Sequence, residues 1–129
     1  MGLDTTHEAW HGPYSSFNQF RYWLANLIGI SLNDYIGYNE NGTKDLTSIN
    51  HPLMPLFNHS DCDGKLTSDE CKQIAEGIDS ALKNTEPDEQ PYSHYQEAIT
   101  FRDGCLLAYS KNEEIRLFFF QRIRIRAVS

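Results

Sequence analysis

Three segments of the chain carry apolar side chains at spacings of three and four residues, which is the spacing of one helical face. They span about 15–28, 67–84 and 93–112, and Gly29 is expected to end the first. Each segment opens with a hydroxyl residue followed three positions later by Glu or Gln, the sequence pattern of a capping box. The capping pairs are Ser16 with Gln19, Thr67 with Glu70, and Ser93 with Gln96. The pattern predicts three main helices.

The apolar positions of these helices predict which faces meet in a core. The first face is the most apolar, so Phe20 and Trp23 are expected to be central to the core. The expected apolar positions are Phe17, Phe20, Trp23, Leu24, Leu27 and Ile28 in the first helix, Cys71, Ile74, Ala75, Ile78 and Leu82 in the second, and Tyr95, Ala98, Ile99, Arg102, Cys105, Leu106 and Tyr109 in the third.

From Glu114 onward the period changes from about 3.6 to 2, which indicates a β-strand. A lone strand would leave its backbone groups unpaired, so a partner is required. Two partners are open: the segment Gly2–Thr6, or the second half of the same segment folded back near Gln121. Residues 31–50 are expected to be mostly loop, with one short helix near 32–36. The predicted fold is therefore a mostly helical α+β single domain with a small C-terminal strand or hairpin.

Length, charge and cysteine content narrow the functional class. A chain of 129 residues with 40% apolar or aromatic residues suits one domain with a real core. The net charge of the chain is −7. Because residues 111–129 carry a net charge of +3, residues 1–110 carry −10 and should repel nucleic acid. No apolar run approaches the ~20 residues of a membrane span, and the first ten residues have neither the basic start nor the apolar stretch of a secretory leader, so neither feature is expected. Three cysteines without CxxC spacing favour a reducing cytoplasm over a disulfide framework.

The segment 59–70 fits the twelve-residue calcium loop of an EF-hand when Gly64 takes the sixth position. Leu66 then supplies the apolar eighth residue, and the helix that follows is the exiting helix. The predicted ligands are His59, Asp61, Asp63, the carbonyl of Lys65, Thr67 through water, and Glu70 as the bidentate twelfth ligand.

Three departures weaken the match. An imidazole at His59 is a poor ligand for a hard cation that prefers oxygen. Pro52 and Pro55 limit the entering helix to a turn or two. A second loop centred on Gly42 fails, because Lys44 would take its apolar eighth position. Two interpretations stay open, a weak calcium site or a metal-free turn that starts the following helix.

The sequence His7-Glu8-Ala9-Trp10-His11 matches HExxH, in which two histidines one helical turn apart bind zinc and the glutamate acts as a general base. Thr5 and Glu8 have the spacing to cap a short helix, but Gly12 and Pro13 end it directly after the motif. A structural histidine pair is favoured over a zinc protease. A composite transition-metal site is also open, with ligands His7, His11, His59, Asp61 and Asp63.

Two further features have ordinary explanations. Alternating arginines near the C-terminus are typical of the solvated face of a strand, and this explanation is favoured over contact with phosphates. Cys62 lies inside the loop with no sequence pattern for an activated thiol, so it is expected to be an ordinary small residue.

Three segments, GLDTTHEAWHGPYSSFNQFR, HSDCDGKLTSDECKQIA and FRDGCLLAYSKNEEI, are similar to a group of small uncharacterised proteins from bacteria and their phages. The resemblance spans most of the chain and implies a bacterial or phage-related cytoplasmic protein without an assigned activity. Members of that group often carry aspartate at the position of Glu8, which argues against the protease.

The sequence predicts a non-catalytic accessory or interaction protein with a weak calcium loop and an unidentified protein partner. The protein is not expected to bind zinc, nucleic acid or a membrane. The alternative is a small zinc-dependent hydrolase that uses the HEAWH motif with Asp61 and Asp63.

Overall fold

A computed structural model describes residues 2–58, 63–90 and 93–120. Within those ranges the α+β class is confirmed, with three main helices and a four-stranded antiparallel sheet. The strands are β1 (Gly2–Thr5), β2 (His11–Pro13), β3 (Asp63–Leu66) and β4 (Ile115–Phe120). The helices are α1 (Tyr14–Leu27), the single turn α2 (Met54–Phe57), α3 (Ser68–Leu82) and α4 (His94–Ser110).

The first and last of these strands lie side by side at the centre of the sheet, whose order is β2–β1–β4–β3. Leu3 of β1 pairs with Phe119 of β4, so the N-terminal segment, one of the two partners that the sequence left open, pairs with this strand. A fold-back near Gln121 lies outside the described residues. On its other side β4 pairs with β3, where Leu66 stands opposite Ile115, and this strand was not predicted.

One face of the sheet is buried against the helices. Successive residues of a strand point to opposite faces, so the buried set follows every second position. In β1 and β4 these residues are Leu3, Thr5, Ile115 and Leu117. The sheet and the helices therefore share one hydrophobic core.

Helix α1 begins by a different signal from those of α3 and α4. It starts at Tyr14, so Ser16 lies inside the helix and is not its N-cap, contrary to the sequence prediction. Its end is a Schellman motif, as Gly29 predicted. Gly29 has φ of 80°, and Ile30 donates its backbone N–H to the Ala25 carbonyl at 2.9 Å.

The predicted capping box of α3 is present, whereas α4 has only the Ser93 half of its predicted box, because the Gln96 side chain donates to the Asp88 carbonyl at 2.8 Å. Thr67 and Glu70 form both hydrogen bonds of the capping box, and the Ser93 hydroxyl accepts from the Gln96 N–H at 3.1 Å. At the other end of α4, Asn112 has φ of 56°, and Glu113 donates its backbone N–H to the Ala108 carbonyl at 2.8 Å. This is a second Schellman motif, with Asn in the left-handed position.

The buried face of α3 is the predicted one, but that of α4 is rotated. Leu106 and Tyr109 are more than 40% exposed. Gly104 explains the rotation, because a Cβ there would stand 2.6 Å from the Cβ of Ala9. The close approach of the segment after β1 selects the small-residue side of the helix. The buried residues of α4 are Ala98, Phe101, Gly104, Cys105 and Ala108.

Trp10, and not Trp23, is the tryptophan of the core. Its ring stacks on Phe20 at 5.4 Å between centroids and meets the edge of Phe17 at 5.2 Å. Trp23 is only partly buried, and its ring lies 5.7 Å from that of His94. The prediction that Trp23 is central to the core is therefore wrong, because that position of α1 is turned toward the surface.

The stretch from 31 to 50 is mostly loop, as predicted. It contains two 3₁₀ turns, Leu32–Asp34 and Leu46–Ser48, and one isolated bridge between Tyr35 and Lys44. Across the described ranges, no helix is long and apolar enough to cross a membrane.

Candidate functional site

The exit half of the candidate calcium loop has the arrangement that an EF-hand requires. Leu66, at the eighth position, is buried in the core and pairs with Ile115 of β4. Helix α3 begins directly afterwards. Thr67 Oγ1 accepts from the Glu70 N–H at 3.2 Å, and Glu70 Oε1 accepts from the Thr67 N–H at 3.0 Å. The Glu70 carboxylate is thus turned back toward the loop, which is the direction from which a twelfth-position ligand binds.

The entry half is a single helical turn held in place by a buried arginine. Pro55 lies in the first turn of α2, in agreement with the short entering helix predicted from the prolines. Arg21 of α1 is buried and donates to the Leu56 carbonyl at 3.5 Å and to Asn18 Oδ1. The Tyr38 hydroxyl donates to the next carbonyl, that of Phe57, at 2.6 Å. Both contacts fix the C-terminal end of α2 just before the loop.

The ligand positions themselves are only partly described. His59 and Asp61 lie outside the described residues, and of Asp63 only the backbone is described, as the first residue of β3. The Lys65 ammonium pairs with Glu114 at 3.8 Å. The predicted ligand atom is the backbone carbonyl oxygen of Lys65, which does not take part in this side-chain contact. Within the described residues, no group of three or more His, Cys, Asp or Glu side chains is placed to hold a metal ion.

The HEAWH motif does not form an α-helix, and its first two residues belong to a single 3₁₀ turn, Thr6–Glu8. His7 and Glu8 have left-handed φ angles of 61° and 54°, so the two histidines are not one helical turn apart. Thr5 is not a side-chain cap here, because its hydroxyl accepts from the Trp10 N–H at 2.8 Å. The residues between β1 and β2 thus form a tight connection around Trp10, and the geometry of a helical zinc site is not formed.

Each histidine of the motif has its own acidic neighbour. His7 Nε2 lies 2.8 Å from Glu113 Oε1, and its Nδ1 lies 2.9 Å from Thr6 Oγ1. His11 is exposed, with Nδ1 3.4 Å from Asp4 Oδ1. The hydrogen bond from His7 lowers the pKa of the Glu113 carboxyl below its ordinary value.

Strand register bears on the composite metal site. His11, Asp4 and Asp63 occupy one row across the sheet, since Asp4 pairs with His11 and both Asp4 and Asp63 pair with Phe118. Three strand spacings separate the backbones of His11 and Asp63, a distance of about 14 Å. Ligand bonds of ~2.0–2.6 Å make this a long span for two side chains that share one ion. The composite site therefore stays a prediction.

Two adjacent cavities open beside the core tryptophan, with volumes of about 290 and 560 Å³. Trp10, His11 and Thr100 line both cavities. Glu97 lines the smaller one, and burial raises the pKa of its carboxyl while the hydrogen bond from His94 at 2.7 Å opposes that rise. Trp10 Nε1 is buried without a hydrogen-bond partner among the described residues. The two cavities are clefts with acidic side chains in their lining.

The buried cysteines belong to the core. Cys71 of α3 and Cys105 of α4 are fully buried, and their thiols are hydrogen-bonded. The bond to Cys71, together with burial, raises the pKa of Cys105, so this group stays a neutral thiol. Cys62 lies outside the described residues.

Comparisons of the chain with protein-family models, with curated proteins and with solved structures give no match.

Sequence reasoning missed the residues that hold the loop entry. Arg21 occupies a position of α1 that reads as polar, and Tyr38 lies in a segment expected to be loop. The spacing of apolar residues along a helix does not reveal a buried arginine, because contacts with distant segments of the chain bury it. The only local hint is the position of Arg21 one residue after Phe20, beside the most apolar face of the helix.

Proposed function

We propose that the protein is a non-catalytic accessory or interaction domain in which the EF-hand-like segment 59–70 binds calcium weakly. The observation that carries the proposal is the junction of β3 with α3. There Leu66 anchors the loop to the core and Glu70 is turned toward the loop by its hydrogen bond to Thr67. The residues present fit the ion at this end, with an oxygen donor at positions nine and twelve.

The same junction indicates why binding should be weak. Glu70 Oε1 already accepts from the Thr67 N–H, so a bidentate ligand bond to calcium would compete with one hydrogen bond of the capping box. With three carboxylates and an imidazole in first place, the dissociation constant should lie near 10⁻⁴–10⁻³ M, the weak end of the range for such loops.

Pairing of the loop also differs from that of tandem EF-hands. In tandem EF-hands the eighth residue of one loop pairs with the second loop. Here the eighth residue, Leu66, pairs with Ile115 of β4. Ion binding would therefore be communicated to the central strand of the sheet and, through it, to β1. This connection supports a structural or interaction role for the ion over a catalytic one.

The test replaces the least suitable ligand. His59→Asp supplies a hard oxygen and a fourth carboxylate, so calorimetric titration with calcium should show an affinity at least ~10-fold higher than that of the parent, or about 1.4 kcal/mol. Calcium at about ten times the dissociation constant should then stabilise the fold by about 1.4 kcal/mol and raise the melting temperature.

Two further variants separate a true loop from general charge attraction. Asp63→Ala in the His59→Asp background should abolish the calcium-dependent rise. Asp69→Asn removes a carboxylate at the eleventh position, which supplies no ligand, and should leave the rise intact. If His59→Asp shows no shift of the melting temperature at millimolar calcium, the segment does not have the ion-binding conformation of an EF-hand.

A further inference from the structure

A shallow groove lies on the surface formed by α1, the loop after it and the start of α4. Its volume is about 570 Å³, within the range of small-molecule sites. Six residues line it: four from one face of α1, one from the loop that follows α1, and one from the start of α4. They are Gln19, Tyr22, Trp23, Asn26, Asn33 and His94.

The α1 residues share one face because they are spaced at three and four positions along the helix. Trp23 lies in this row, which explains why a large apolar residue of α1 is left partly exposed beside Gln19 and Asn26. The ring of His94 lies 5.7 Å from that of Trp23 at an angle of 34°, so the two rings form one wall.

The polar wall of the groove is oriented by hydrogen bonds. The Tyr22 hydroxyl lies 3.0 Å from Asn33 Oδ1 and 3.0 Å from the Tyr38 carbonyl. The Tyr22 ring meets that of Tyr38 edge to face at 5.5 Å. These contacts hold the Asn33 amide with its oxygen toward Tyr22. The loop and the helix are thus held together at the groove before any ligand binds.

The chemistry of this lining is amide and aromatic without fixed charge. Asn and Gln side chains each offer two donors and an acceptor, which matches hydroxyl groups that donate and accept at the same time. Aromatic rings offer a flat apolar surface with a polar edge. Among the residues that the structure describes, no Lys, Arg, Asp or Glu lines the groove, so the described lining offers phosphate and ammonium groups no counter-charge.

We propose that this groove binds a neutral saccharide, with one face of a sugar ring packed on Trp23 and its hydroxyl groups hydrogen-bonded to Gln19, Asn26 and Asn33. A sugar ring has an apolar C–H face and a rim of hydroxyls, and the groove presents both complements. Nucleic acids require cations that this groove and the net charge of −7 do not supply. Of the described loop residues, 63–70, none lines the groove, so saccharide binding can be tested apart from calcium binding.

The test is NMR titration of the ¹⁵N-labelled protein with glucose, N-acetylglucosamine and cellobiose, with adenosine monophosphate as the charged comparison. The expected result is a shift of the Trp23 indole N–H and of the Gln19, Asn26 and Asn33 side-chain amides by at least one saccharide, saturating at millimolar concentration. A calcium chelator should leave the titration unchanged.

Two exposed asparagines give a matched pair of variants. Asn26→Ala removes one amide of the groove and should weaken binding at least about tenfold, because a ligand hydroxyl loses its partner. Asn84→Ala, at an exposed position after α3, should bind like the parent. Trp23→Ala should abolish binding, and Asn26→Ala keeps the test valid if that variant does not fold.

Four results would each overturn the proposal. They are the absence of a shift at these side chains with every saccharide, equal affinities for Asn26→Ala and Asn84→Ala, loss of binding in chelator, and tighter binding of adenosine monophosphate than of any saccharide. The calcium titrations of the parent and of His59→Asp are unaffected by any of these results, so the two proposals fail separately.

Discussion

Trp10 and Trp23 differ in environment, although Trp10 packs against α1 and Trp23 belongs to that helix. Trp10 stacks on Phe20 and is 5% exposed, whereas Trp23 faces the surface beside His94. Trp10 was missed because it lies inside HEAWH, a sequence that resembles a helical motif. Trp23 was placed in the core because its spacing fits the apolar face of α1. Spacing alone does not determine which edge of a helical face is covered by other elements.

Removal of the two tryptophan side chains should have unequal effects on stability. Trp10→Ala empties the centre of an aromatic cluster and should lower the free energy of unfolding by about 3–5 kcal/mol. Trp23→Ala loses only partial burial and should cost less than about 2 kcal/mol. Urea denaturation followed by circular dichroism measures both. Equal losses would mean that the aromatic cluster is not centred on Trp10.

The connection between β1 and β2 is tied to the end of α4 by a short network. His7 lies between Thr6 Oγ1 and Glu113 Oε1, and Thr6 Oγ1 also accepts from the Arg116 N–H at 3.0 Å. Glu113 is placed there by the Schellman motif that ends α4. The left-handed backbone of His7 costs of order 1–3 kcal/mol, which this network offsets.

The stability of the fold should fall in acid as the Glu113 carboxylate becomes protonated. The bond from His7 lowers the pKa of Glu113 from its ordinary value of 4.5. A lowered folded pKa contributes stability that is present above 4.5 and lost as the pH falls through the folded value. Glu113→Gln should therefore lower the melting temperature at pH near neutrality, and the difference from the parent should disappear in strong acid.

Glu89→Gln is the matched control, because Glu89 is an exposed carboxylate of the loop before α4. Its melting temperature should follow that of the parent at every pH. A deficit of Glu113→Gln that is the same at neutral and acid pH would assign the effect to lost packing and not to the charge.

At the scale of the whole molecule, the parts that the sequence predicted are those set by neighbours along the chain. The caps at Thr67 and Ser93 and the stop at Gly29 depend on residues a few positions apart. Contacts between distant residues set what was missed. Gly104 against Ala9 determines the buried face of α4, and β3 is a strand because β4 pairs with it. Of the predicted metal ligands, those in 59–62 lie outside the described residues.

Pairing of β1 with β4 predicts that the helices and the sheet unfold together. Leu3 is fully buried in a central strand, and the residues opposite it in β4 are more than 110 positions away. Leu3→Ala should therefore destabilise the whole molecule by about 2–5 kcal/mol. Ile36→Ala, which removes a side chain that is 60% exposed, should change stability by less than about 0.5 kcal/mol.

The measurement is urea unfolding of the parent and both variants, followed by helical circular dichroism and by the fluorescence of Trp10 in a Trp23→Phe background. In a single cooperative domain the two signals give one midpoint, and Leu3→Ala moves both midpoints equally. Helical signal that survives after the fluorescence change in Leu3→Ala would show that α3 and α4 form a unit stable without the sheet, contrary to the single domain predicted from the length of the chain.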